Sequence, residues 1–153
     1  MQVTGLLLKQ GLLLFWALWL SIAWLSNLCD GLKIYHLLKD QWWFASGNYQ
    51  MMAETIQKRR MPPWMTTLLF LGVLAWQGGA MLFLWVAFFN FQGMHQPGAA
   101  VLYAAFLVNL ALWAALLIAD EMFLAYEIES THLRVLTAQM VSLLVLTLLP
   151  EGG

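Results

Sequence analysis

Four carboxylates fall within ten residues in the stretch LLIADEMFLAYEIESTHLR, Leu116 to Arg134: Asp120, Glu121, Glu127 and Glu129. Asp120 and Glu121 close a long apolar run, and a hydrophobic pattern continues past them through Met122, Phe123, Leu124 and Tyr126. A charged side chain deep in a bilayer costs roughly 2.5–3.5 kcal/mol on insertion scales, so it faces a bundle interior, a cavity or the interface. Two readings follow. In one, Asp120 and Glu121 form a proton-relay or ion site, with Asn109 and Gln77 as further polar groups. In the other, the helix surfaces here, the acids sit in headgroup or water, and Arg134 lies nearby across the turn.

The histidines, His36, His95 and His132, are the next candidates. Haem iron held by two histidines needs both to face inward from helices of a bundle. His36 and His95 fall in loops on opposite sides and His132 at a helix start, so exposed or capping roles are expected and no haem. Metal binding needs ligands at helical spacing or in a tight loop. Glu127, Glu129 and His132 come nearest, in a pattern common at helix ends. No cofactor is expected. A single cysteine, Cys29, excludes an internal disulfide and a cysteine-based zinc site. There is no nucleophile with a paired base, no Gly-rich phosphate loop and no carboxylate pair on polar elements, so an enzyme is not expected.

The elements that must position these residues are membrane helices. The chain is 62% hydrophobic and only 10% charged, whereas soluble domains are about 25% charged. Nine Trp, nine Phe and nine Met fit a membrane protein with aromatic interface belts. A net charge of −1 argues against nucleic acid as a partner. No repeat or linker divides the chain, which reads as one membrane domain over residues 1–153.

Four apolar runs are long enough to cross about 30 Å of hydrocarbon at 1.5 Å per residue. They predict helices over about residues 8–28, 64–91, 99–128 and 132–149. The first could be a signal peptide, since Lys9 precedes it, but Trp24, Asn27 and Leu28 occupy the cleavage-site positions and favour a retained helix. In the second, Trp64 and Trp85 are about 31 Å apart along a helix and could mark the two interfaces. Gly72, Ala75 and Gly79 predict a face for close approach, as Ala111, Ala115 and Ala119 do in the third. Asn109, Trp113, Leu116 and Asp120 make another face, Asn109 and Asp120 lying within about 20° of each other. The Phe89–Gly98 segment is a turn closed by Pro-Gly, and a break at Ser130-Thr131 separates the last two helices. The expected fold is an all-α bundle of four transmembrane helices, up and down.

Residues 29–62 are the one long polar segment. Leu32 to Asp40 alternates apolar and polar residues and predicts a short interfacial helix with snorkelling lysines. A second short helix follows Asn48, a favoured N-cap residue, with Tyr49, Met52, Ala53 and Ile56 on one stripe. Lys58, Arg59 and Arg60 suit its C-terminal dipole, and Pro62-Pro63 stops it. With Trp42 and Trp43, these three basic residues make the expected interaction surface. This side also holds Lys33, Lys39 and Arg134, against Lys9 alone on the other, so the positive-inside rule places the loop in the cytoplasm and the termini outside.

Asn27-Leu28-Cys29-Asp30 closes the first helix, and His36-Leu37-Leu38 with Asp40 follows in the loop. Trp76-Gln77-Gly78 lies in the second helix and Glu121-Met122-Phe123 ends the third. In this pattern the chain resembles, over nearly its whole length, a bacterial family of predicted small integral membrane proteins of unknown function. The resemblance implies four helices, a bacterial inner (plasma) membrane and termini inside; it implies no activity. Gln77 stands where that family usually has Glu, and the family's basic residues between helices two and three have no counterpart here.

Small-residue faces, abundant tryptophan and an amphipathic loop point to a non-enzymatic accessory subunit of a larger membrane complex. Its partners would be lipid and other membrane subunits, with no nucleic acid and no defined small-molecule substrate. The alternative is a small redox or ion-conducting module using Asp120 and Glu121.

Overall fold

The computed structural model describes residues 2–39, 41–91 and 98–149; Asp40, His95 and Pro150 lie outside them. Five helices follow in order: α1 Gln2–Ile34, α2 Asn48–Lys58, α3 Trp64–Asn90, α4 Gly98–Phe123 and α5 Tyr126–Leu148. All but α2 are long and apolar enough to cross a membrane. The chain is therefore an all-α, multi-pass membrane bundle, up and down. α1 packs on α3, α3 on α4 and α4 on α5, while α2 lies against α1 and α3.

In lipid there is little hydrophobic drive to bring helices together, so packing and interhelical hydrogen bonds carry association. Here the indoles supply much of that bonding. Trp16 Nε1 donates to Ser142 Oγ (2.9 Å), joining α1 to α5. Trp85 Nε1 donates to Ser21 Oγ (3.0 Å) and Trp24 Nε1 to the Leu74 carbonyl (3.0 Å), both joining α1 to α3. Around them Leu13, Leu20, Leu84, Leu102, Phe106 and Leu146 are buried. Of the two expected interface markers, Trp64 is exposed, whereas Trp85 is half-buried by its bond to α1. Lys9 is 1% exposed, so the lone cation of the far end is buried rather than at the surface.

The small-residue face lies one step away from its expected position. Gly72 and Ala75 are exposed, and nothing would approach a Cβ at Gly72 or Gly79 within 4 Å. Gly78 makes the close approach instead: a Cβ there would stand 2.9 Å from Trp24 Nε1. On α4, Ala111 is exposed and Ala115 and Ala119 are half-buried, so that stripe is not a tight seam either.

Helix ends depart most from expectation. α1 continues to Ile34, and among the described residues no interfacial helix follows it; residues 35–38 form a turn and a bend. α4 stops at Phe123 and α5 begins at Tyr126, so the break lies at Leu124-Ala125 and not at Ser130-Thr131. Three helices end in the same way, on a left-handed residue that is not glycine: His36 (φ 57), Arg60 (φ 55) and Leu124 (φ 51). Each sits between the paired backbone bonds of a Schellman turn. After α4 these run from Leu124 N–H to the Glu121 carbonyl (3.2 Å) and from Ala125 N–H to the Asp120 carbonyl (2.8 Å). Without glycine as the usual signal, these stops are hard to read from residue types.

Candidate functional site

At the end of the bundle that carries α2, a partly open cavity of about 330 Å³ lies between α1, α3, α4 and α5. Its walls are mainly apolar, with Trp19, Phe70, Trp113 and Phe123 as the aromatic surfaces. Met51, Met52 and Ile56 place α2 along one side. The polar lining residues are Ser26, Asn27, Asn48, Thr55 and Gln77 from α1, α2 and α3, and Asp120, Thr131 and His132 from α4 and α5. An apolar pocket with a small number of placed polar groups is the usual form of a small-molecule site, and the volume is at the low end of the usual range of roughly 300–1,000 Å³.

The helix reversal sets the second group. Side chains on a helix tilt toward its N-terminus. On antiparallel α4 and α5 this tilts Asp120 away from the turn and His132 toward it. The two meet with His132 Nδ1 2.6 Å from Asp120 Oδ2, although twelve residues separate them. Asp120 is 4% exposed and the His132 side chain 17%. With Asp120 as carboxylate, Nδ1–H donates and Nε2 is left facing other partners, a second-group effect that fixes the imidazole's tautomer. Nothing among the described residues bonds Nε2. The Trp113 ring lies beside the imidazole, centroids 5.8 Å apart. Trp113 is 5% exposed, and its Nε1 is buried without a hydrogen-bond partner.

The other polar group is a relay of amides. Asn48 Nδ2 donates to Asn27 Oδ1 (2.7 Å), and Asn27 Nδ2 donates to Gln77 Oε1 (2.7 Å). It links α2, α1 and α3 in turn. Asp30, 7% exposed, accepts from Tyr49 N–H (2.8 Å) and Ser46 Oγ (3.3 Å). A carboxylate on the first turn of α2 is where the helix dipole favours one. The N-cap position itself is Gly47, and Asn48, expected to cap, uses its side chain on Asn27. Tyr49 Oη and Thr67 Oγ1 (3.0 Å) add a tie to α3. At its other end, α2 is strapped to the α4 terminus: Arg59 donates from Nε to the Phe123 carbonyl (2.9 Å) and from Nη2 to the Leu124 carbonyl (3.4 Å).

Of the residues singled out in the sequence, Asp120 and Gln77 line the cavity, from α4 and α3. Asp120 does not surface, and its partner is His132, not Arg134, which is exposed. Glu121, one residue on, points out of the bundle and is exposed. Asn109 is fully buried; its Nδ2 donates to the Ala105 carbonyl (2.9 Å) and the Ala80 carbonyl (3.4 Å), and Oδ1 is unpartnered. It does not line the cavity. Glu127 is exposed, Glu129 is half-buried, and no group of three or more metal-ligating side chains occurs among the described residues. On the expected interaction surface, Trp42, Trp43, Lys58 and Arg60 are exposed, whereas Arg59 is committed to the α4 terminus. Sequence reasoning did not find Asn27, Asp30 or the role of His132. The closest signal was His132 itself, at a helix start twelve residues after a carboxylate.

No protein-family model, no curated protein and no solved structure matches the chain.

Proposed function

We propose that this chain is a non-enzymatic binding module of the bacterial inner membrane, which holds a small amphiphilic molecule in the cavity beneath α2. The buried Asp120–His132 pair carries this reading. A carboxylate and an imidazole 2.6 Å apart are an expensive pair to keep in a bilayer-spanning bundle. Placed on the wall of a mainly apolar cavity, they give a bound molecule a point of polar attachment. The basic residues Lys33, Lys39, Lys58, Arg59, Arg60 and Arg134 support a cytoplasmic position for the cavity mouth and outward termini. Glu121, exposed and apart from the pair, has no place in the site, which weakens the ion-conducting alternative.

The test is co-purification into lipid nanodiscs followed by native mass spectrometry. Wild-type protein is expected to carry one small molecule that a cavity-filling Ala23→Phe variant, folded by circular dichroism, releases. Equal retention by both proteins, or none by the wild type after supply of total membrane lipid, overturns the reading.

A second reading has its own observation. Trp43 is 85% exposed and stacks edge-on against Phe44 in a segment outside the helices, with Trp42 beside it. This supports an accessory subunit that docks on another membrane protein through the loop. A stoichiometric companion recovered in mild detergent, and lost with Trp43→Ala, would establish it; recovery of the lone chain would remove it.

A further inference from the structure

We infer that the molecule held in the cavity carries a neutral carbonyl, whose oxygen accepts a hydrogen bond from Gln77 Nε2. This rests on the binding-module reading above and adds to it a residue that sets specificity. Gln77 is 4% exposed and lines the cavity. Its Oε1 is taken by Asn27 Nδ2 (2.7 Å), and Asn27 Oδ1 is in turn taken by Asn48 Nδ2 (2.7 Å). Running in this sense, the relay leaves the Asn48 oxygen free at the positive end of α2, as the helix dipole favours; the opposite sense would leave an amino group there. At its other end the relay leaves Gln77 Nε2, which bonds nothing among the described residues and, unlike Trp113 Nε1 and Asn109 Oδ1, is not sealed off. A donor fixed by two further amides and left unpaired on the wall of a mainly apolar cavity is unfavourable until an acceptor arrives.

Asp120 does not supply that acceptor. The bond from Asn109 Nδ2 to the Ala80 carbonyl (3.4 Å) sets those two residues level on antiparallel α4 and α3. From that level Asp120 is eleven residues nearer the α4–α5 turn and Gln77 three residues nearer, so roughly 12 Å of helix rise separates them. The acceptor comes with the ligand, and the lining defines its chemistry. No Lys or Arg lines the cavity, so a carboxylate or phosphate at Gln77 would be buried without a counter-charge. An ammonium has no lone pair to offer the amide. A hydroxyl accepts, but brings a proton that the side chains of Phe70, Val73 and Leu74 on the same helix cannot take. A carbonyl oxygen accepts and adds no donor.

Two isosteric probes test this on the intact protein in nanodiscs of ether-linked phosphatidylcholine, which has no carbonyl of its own, with protein-free nanodiscs subtracted. Octanophenone carries C=O where 2-phenyl-1-nonene carries C=CH2. The ketone is expected to bind saturably and about three- to tenfold more tightly than the alkene, the effect of one hydrogen bond. Gln77→Met should lower the ketone to the alkene's affinity, and a ketone preference that survives it overturns the assignment. Because the two probes are compared within one protein, a variant that fails to fold leaves the wild-type result decisive. Repeating the ketone titration in ester-linked phosphatidylcholine separates two sources of the carbonyl. Weaker binding there identifies a lipid ester as the competing occupant, unchanged binding a ketone or quinone, and either result supports the inference once the ketone preference is seen. If the wild type binds both probes equally, or the alkene more tightly, and Ala23→Phe blocks them, the cavity binds apolar molecules but the carbonyl assignment is wrong. If neither binds beyond the empty nanodisc, the assignment and the binding-module reading fall together.

Discussion

His132 Nδ1 lies 2.6 Å from Asp120 Oδ2 across the α4–α5 reversal, and the pair is nearly shut off from the surroundings. Glu121, adjacent in sequence, is exposed. Two neighbouring acids thus occupy opposite environments, because successive side chains on a helix are about 100° apart. Asp120→Ala leaves the imidazole's Nδ1 buried without its acceptor. The expected loss is about 1–3 kcal/mol of stability, the cost of an unsatisfied buried polar group. Glu121→Ala should stay within about 0.5 kcal/mol, as for a surface substitution. Thermal unfolding of both variants in the same detergent checks the contrast, and equal losses would count against the buried pair.

Leu124 holds φ at 51° to complete the Schellman turn that ends α4. A left-handed conformation costs an L-residue roughly 1–2 kcal/mol, a penalty glycine avoids. Leu124→Gly should therefore raise the midpoint of thermal unfolding, and Leu124→Val, with a branched Cβ, should lower it. The exposed Leu124 side chain contributes little that the glycine would lose.

Gly78 and Gly79 are neighbours with opposite tolerance. A Cβ at Gly78 meets Trp24 Nε1 at 2.9 Å, and that indole is held by its bond to the Leu74 carbonyl. Gly78→Ala is expected to destabilise by about 1–3 kcal/mol, the usual cost of overpacking. At Gly79 nothing lies within 4 Å, so alanine there should be neutral or stabilising by up to about 1 kcal/mol through helix propensity. Both are read from unfolding midpoints.

Among the described residues, Arg59 makes the hydrogen bonds that tie the C-terminal end of α2 to the α4 terminus, through the Phe123 and Leu124 carbonyls. Arg59→Gln should free that end, at a cost of about 0.5–1.5 kcal/mol or less given its exposure. Hydrogen exchange should rise in residues 56–61 and at the α4–α5 turn, with little change at Asn48 and Tyr49, which Asn27 and Asp30 hold. Uniform exchange along α2 would show that the helix is not held at two ends.

The charge asymmetry predicts which side of the membrane the loop faces. Cys29 is buried, so the background for thiol labelling is low. Trp43→Cys, at a position 85% exposed, should react with a membrane-impermeant maleimide in inverted vesicles and not in intact cells. The reverse pattern would put the loop outside.

The number of spanning helices was legible in the sequence because it depends on composition over about twenty residues, and averaging makes that signal strong. The placement of Asn109, Trp113 and Asp120 on one buried face of α4 was legible for a related reason: helical periodicity is local geometry. The stripe of Tyr49, Met52, Ala53 and Ile56 likewise foretold α2, with Ile56 its buried residue. Helix ends were not legible, since His36, Arg60 and Leu124 take the left-handed conformation without being glycine. That choice is made by the surrounding packing, which overrides the local preference. The consequence reaches the site. Ending α4 at Phe123 in place of about 128 brings His132 into α5 and opposite Asp120, where a pattern of residue types showed only a helix edge. The cavity, the pairing of Asn27 with Gln77, and the unpartnered Trp113 Nε1 depend on which helix faces lie against each other. Hydropathy counts how apolar a helix is and periodicity which face is distinct; neither states the partner that the face will meet. Only the tertiary structure decides that, because interhelical contacts join residues far apart in the chain through distances that no local pattern encodes.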